Sequence, residues 1–217
     1  MTQTTETNNP IECPCTTKRG IARHQKLLEV AGETFLKNGY SGASVNEIVK
    51  KAGGSLGTLY QLFGNKLGLF EAVLKVKTSE VFDEFDSDAV WTEDIEASLL
   101  KFGRKLQRVA LSGDGIALYR LVLAENSLDQ EHIQKIFYTY GPQRATDILS
   151  SYFAKLVKNK RMKPMDCKLA AYQLLEMIKA PFYLRFMLGE SIPEEELEAG
   201  LQQSVKLFLN GALTQEK

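Results

Sequence analysis

The chain has 217 residues, 44% of them hydrophobic and 25% charged, which is globular composition and enough length for one large domain or two small ones. Its formal net charge is zero, so overall charge points to neither nucleic acid nor membrane. Three cysteines make no even disulfide framework, and no apolar run approaches the roughly 20 residues of a membrane span, so the expected location is cytoplasmic, with no membrane partner.

The distribution of charge says more than its sum. Residues 16–77 carry ten Lys and Arg against four Glu, whereas residues 78–217 carry seventeen against twenty-one acidic side chains. A basic front on an acidic body predicts an anionic partner for the front alone. In chain order, residues 1–17 are polar and contain two prolines, and read as a disordered tail. Cys13 and Cys15 in that tail lack the second cysteine pair or histidine cluster that would close a tetrahedral site, so no metal is expected.

Leu27, Leu28, Ala31 and Phe35 recur at helical spacing, and Gly39 stands where a helix would end on a positive φ. Ser44 and Glu47 have capping-box spacing ahead of a stripe of Val45, Ile48, Val49 and Ala52. Gly53-Gly54 stops that helix. Ser55 caps a third over Leu56–Leu62, and Asn65 caps a fourth reaching about Phe85. Further helices are expected at about 93–111, 115–126, 129–138, 141–160, 166–188 and 194–213, with breaks at Gly113, Gly141, Asn159–Pro164 and Gly189–Pro193. No stretch sustains the period-two alternation of a strand. The expected fold is all-α with about nine or ten helices: a disordered tail over 1–17, a three-helix domain over 18–65, a connecting helix over 66–85 and a larger helical bundle over 86–217.

Two short helices joined by a glycine-containing turn match a helix-turn-helix, whose second helix enters the DNA major groove with its N-terminal residues first. Helix N-termini at Ser44, Ser55 and Asn65 offer free N–H groups and a positive dipole end to phosphate. Small Ser55, Gly57 and Thr58 allow close approach. Thr58 and Gln61 can hydrogen-bond to base edges, and the Tyr60 hydroxyl and Lys66 ammonium can reach the backbone. Lys18, Arg19 and Arg23 could add a basic arm.

Residues 20 to about 76 resemble the DNA-binding domain of the TetR/AcrR transcriptional regulators. The likeness is carried by Gly39-Tyr40, by Ala43, Ile48, Ala52 and Gly53, and by Gly57-Thr58-Leu59-Tyr60, Phe63, Lys66, Leu69 and Phe70. Gly54, Leu56 and Leu67 depart from the usual pattern. The resemblance implies a homodimer on a palindromic double-stranded DNA operator, with Ser44, Ser55, Thr58, Tyr60, Gln61 and Lys66 at DNA. The segments Leu118–Glu125, Tyr140–Phe153 and Ala180–Glu190 are similar to the C-terminal domain of AcrR- or AefR-like members. That implies a small, hydrophobic effector bound among the central helices, dimerisation through the last two helices, and repression as the commoner outcome.

Candidate pocket residues are Phe102, Leu106, Tyr119, Leu123, Tyr140, Tyr172, Met177 and Phe182, where apolar side chains mix with a few hydroxyls. The apolar residues of the last two helices, Leu169, Leu184, Leu188, Leu201, Val205 and Phe208, suit a four-helix dimer bundle. Pro181 should kink its helix. An enzyme would need a nucleophile with its base, or a metal cluster; the two histidines, His24 and His132, stand in neither context, and no cofactor motif occurs. The competing class is a helical protein-binding adaptor without a DNA role.

Overall fold

The computed structural model describes residues 17–214, so the tail cysteines Cys13 and Cys15 lie outside the described residues. Ten α-helices and no strand occur among the described residues. They are α1 (Lys18–Gly42), α2 (Val45–Ala52), α3 (Leu56–Phe63), α4 (Lys66–Phe82), α5 (Ile95–Ala110), α6 (Gly113–Ala124), α7 (Gln130–Tyr138), α8 (Arg144–Lys158), α9 (Cys167–Met187) and α10 (Glu194–Ala212). The chain forms two compact units. Among the described residues, one comprises 17–77 together with Ala124–Ile136, and the other Thr78–Leu123 with 137–214. The expected single domain over 86–217 therefore cedes an internal segment to the N-terminal unit.

Within the N-terminal unit, the start of each of the first four helices is set by a short polar side chain. Thr17 Oγ1 accepts from the Gly20 amide at 3.1 Å, Ser44 Oγ from Glu47 at 3.4 Å, Ser55 Oγ from Thr58 at 3.2 Å and Asn65 Oδ1 from Gly68 at 2.8 Å. Each satisfies an amide that the helix leaves unpaired, a contribution of about 1 kcal/mol. At Gly39 (φ 73°, ψ 172°) the first helix turns aside for its last residues. The second helix ends on Gly53 in the left-handed region, and the Gly54 amide reaches back to the Val49 carbonyl at 3.1 Å. Leu27, Phe35, Ile48, Leu59 and Phe70 are buried between these helices. Phe35, Tyr40 and Phe70 form a ring trio with centroids 5.2–5.8 Å apart.

The second unit is built on α5, α8, α9 and α10, with Phe102, Phe153, Leu149, Leu174 and Leu201 in its core. Close approach is enforced at Gly200, where a Cβ would stand 2.4 Å from Phe182 Cζ. Pro181 lies inside α9 and cannot donate to the Met177 carbonyl one turn earlier. Ser204 Oγ from α10 donates towards that carbonyl at 2.9 Å, its one proton shared with the Gly200 carbonyl at 2.8 Å. Ser204→Ala removes this bond between α9 and α10 and is expected to lower stability by about 1 kcal/mol. Urea unfolding checks this; an unchanged midpoint would show that the bond contributes nothing.

Two expectations need correction in this unit. The fourth helix ends at Phe82, and two 3-10 turns, Asp83–Asp86 and Asp88–Val90, follow it. The expected break at Gly141 is instead a π-helical turn, Thr139–Gln143, that carries the chain from α7 into α8. The wider turn accommodates Pro142, which has no N–H to give.

Candidate nucleic-acid interface

The third helix is two-sided. Leu59 is fully buried and Phe63 half-buried, with the Phe63 ring stacked 5.1 Å from the buried imidazole of His24. Burial lowers the His24 pKa, because it disfavours the charged ring. The opposite side exposes Ser55, Leu56, Gly57, Tyr60 and Gln61, with Thr58 half-buried at its edge. Tyr60 is 48% exposed, large and aromatic, and its ring is not needed for the core. Ser55 Oγ and Thr58 Oγ1 lie 2.9 Å apart, so one cap holds two hydroxyls at the start of the helix. Ser44 is half-buried at the start of α2. Lys50 and Lys51 are exposed in its last turn, and Lys18 and Arg19 at the start of α1. The arrangement presents hydroxyl, amide and phenol groups beside a helix N-terminus within a basic unit, a chemistry suited to phosphates and base edges.

Lys66 differs from its neighbours. Its ammonium donates to the Ser41 carbonyl at 3.2 Å and lies 4.7 Å above the Tyr40 ring. Burial lowers its pKa, against the opposing pull of Glu125 and Asp129. It is engaged in the fold, where the resemblance implied a phosphate contact.

The family model for bacterial regulatory proteins of the TetR family matches residues 27–73, and the AefR-like transcriptional repressor C-terminal domain matches residues 97–211. The chain belongs to the TetR family of transcriptional regulators. A TetR-family protein of this kind is a DNA-binding regulator rather than an enzyme. The chain is 37% identical over 65 residues to the regulator QacR of Staphylococcus aureus, a match that covers 30% of this chain and only 35% of QacR. The crystal structure of a TetR-family regulator from Mesorhizobium loti is 27% identical, with a TM-score of 0.77 over 91% of this chain and 100% of that one. FadR from Bacillus subtilis, solved in complex with stearoyl-CoA, shares the fold at 20% identity and a TM-score of 0.66, over 87% of this chain and 98% of FadR.

The expected pocket residues of this TetR-family chain stand in different surroundings. Phe102, Leu106 and Phe182 are buried in the second unit, and Leu123 and Tyr172 are exposed at 59% and 50%. Tyr119 packs against Tyr183 and Phe137 with centroids 4.8 and 5.9 Å away, and Met177 is half-buried. Tyr140 borders a cleft of about 440 Å³, beside Phe85, Trp91, Arg144 and Tyr152. Trp91 donates its indole N–H to the Phe85 carbonyl at 3.2 Å and stacks 4.0 Å from Tyr152, so it staples the turn it ends. Of the expected dimer residues, Leu201 and Val205 are fully buried in their own subunit, and Phe208 stacks on Phe153 at 5.2 Å. The Leu201 and Val205 side chains face the core, where α5 and α9 cover them, and cannot meet a partner. Leu169, Leu184 and Leu188 are exposed, as are Tyr172 and Leu207. No helix among the described residues is long and apolar enough to cross a membrane.

Proposed function

We propose that the protein is a homodimeric, effector-released repressor that binds a palindromic operator through Ser44, Ser55, Gly57, Thr58, Tyr60 and Gln61. The observation that carries the reading is the exposed side of α3, whose polar groups make no demand on the core. Repression is favoured by the AefR-like repressor domain that residues 97–211 match. The dimer is favoured by α9, which exposes two apolar pairs, Leu169 with Tyr172 three residues on and Leu184 with Leu188 four residues on. Such apolar pairs on each of two subunits would bury themselves in a helical bundle. Two helix-turn-helix units then face half-sites about 34–36 Å apart.

The effector carries an apolar segment, as the stearoyl-CoA bound to FadR carries an acyl chain, and the reading assigns half-buried Tyr119, Met177 and Tyr183 to it. It must bind the DNA-incompetent state more tightly than the DNA-bound one, since equal affinity would shift nothing. The fourth helix begins at Lys66 in the N-terminal unit and continues into the second unit from Thr78, so one helix belongs to both.

Sedimentation velocity of wild type and Leu184→Glu tests the dimer. Leu184 is 66% exposed, so a carboxylate there leaves the subunit folded while burying a charge in any bundle. Wild type is expected to sediment as a dimer and the variant as a monomer with weakened operator binding. A wild-type monomer, or an unaffected variant dimer, would contradict the proposed face.

A further inference from the structure

The link between α1 and α2 is tied to a part of the chain far away in sequence. Glu125 is 7% exposed, and its carboxylate accepts three hydrogen bonds: from Ser41 Oγ at 2.6 Å, from the Ser41 amide at 3.2 Å and from the Ser127 amide at 3.0 Å. The Ser41 contacts span 84 residues of sequence. Next to them Tyr40 donates its hydroxyl to Asp129 Oδ2 at 2.9 Å. Lys66 completes the group through the Ser41 carbonyl and the Tyr40 ring. All six residues lie within the N-terminal unit.

We propose that Glu125 and Asp129 are positioning residues for DNA recognition: they clamp the link that aims α2 and α3, and the Lys66 ammonium, held on the same Ser41 and Tyr40, offsets part of their charge. This rests on the DNA-binding reading of α3. The link needs a clamp because Gly39 and Gly42 flank it, and glycine resists bending least. Tyr40 anchors one side in the ring trio, while Ser41 is exposed and has no apolar anchor. Its N–H and hydroxyl both turn to one carboxylate, which holds the backbone three residues before the Ser44 cap.

Charge supports the same arrangement. Two carboxylates in a unit that meets phosphate would weaken binding if left bare. The Lys66 ammonium, on the Ser41 carbonyl and over the Tyr40 ring, offsets part of that charge. Burial alone would raise the Glu125 pKa, but the bonds from Ser41 and Ser127 outweigh it and hold the carboxyl below its ordinary range.

The test uses Glu125→Gln, Ser41→Ala and the double variant in the full-length protein. One readout is affinity for a two-fold symmetric duplex selected from random DNA by the wild type. The other is amide hydrogen exchange at Ser41, Ala43 and Ser44. A glutamine side chain in place of the carboxylate would set an amide donor against donors, so Glu125→Gln is expected to weaken selected-duplex binding by about tenfold or more. It should speed exchange at the link while leaving the second unit's rates unchanged. Ser41→Ala added to Glu125→Gln should cost little more, because both act on one contact. Wild-type affinity and exchange in Glu125→Gln would overturn the proposal, as would faster exchange spread over the whole chain. If the wild type selects no duplex, the DNA reading fails, and exchange alone decides: local acceleration keeps the clamp, and unchanged rates remove it.

Discussion

Alanine at Thr58, Tyr60 and Gln61 together is expected to weaken operator binding at least about a hundredfold and to leave the unfolding midpoint nearly unchanged. The core uses Leu59 from this helix, with Phe63 half-buried behind it, and those are untouched. Tyr60 and Gln61 stand on the exposed side, so truncating them removes little packing. The one structural loss is the Thr58 hydroxyl beside Ser55 Oγ, on an exposed cap that keeps its bond to the Thr58 amide. Against that stand two or three lost contacts to DNA at about 1–3 kcal/mol each. Fluorescence anisotropy and urea unfolding on the same preparation separate the effects. A variant that binds like wild type would move the interface off α3.

Gly68→Ala is expected to produce the other large effect, on stability and on DNA binding together. A Cβ at Gly68 would stand 2.1 Å from the Phe63 carbonyl oxygen and 3.3 Å from its carbon. These are backbone atoms, so no side-chain rotation relieves the clash. The first turn of α4 must move away from the end of α3, at a cost of about 1–3 kcal/mol or more. The Asn65 bond to the Gly68 amide at 2.8 Å sits in that same turn and is strained with it. Alanine at any ordinary exposed helical position would instead stabilise by up to about 1 kcal/mol relative to glycine. A neutral or stabilising result in thermal unfolding would show that the junction can open freely.

The N-terminal helices were legible because their signals are local. Ser44, Ser55 and Asn65 each announce a cap through residue type and spacing, and each makes the bond that spacing implies. The role of Gly68 was not legible, since a glycine in a helical pattern looks the same whether or not a neighbouring carbonyl needs its space. Glu125 and Asp129 carried no local signal at all; only the folded chain brings them to Ser41 and Tyr40. Leu201 and Val205 were misassigned because apolar periodicity marks a buried face without saying what buries it. Here it is the subunit's own core. Ser204 was invisible for a related reason: its partner is a carbonyl that a proline elsewhere leaves free.

The central claim is that the N-terminal unit reads a symmetric DNA site. Anisotropy of the full-length protein on its selected duplex and on a scrambled duplex, at about 50 and about 200 mM salt, tests it most directly. The account predicts tight binding of one dimer to the selected duplex, weaker binding to the scrambled one, and a steep loss of affinity with salt as phosphate counterions are released. Equal affinity for both duplexes, or binding indifferent to salt, would contradict it.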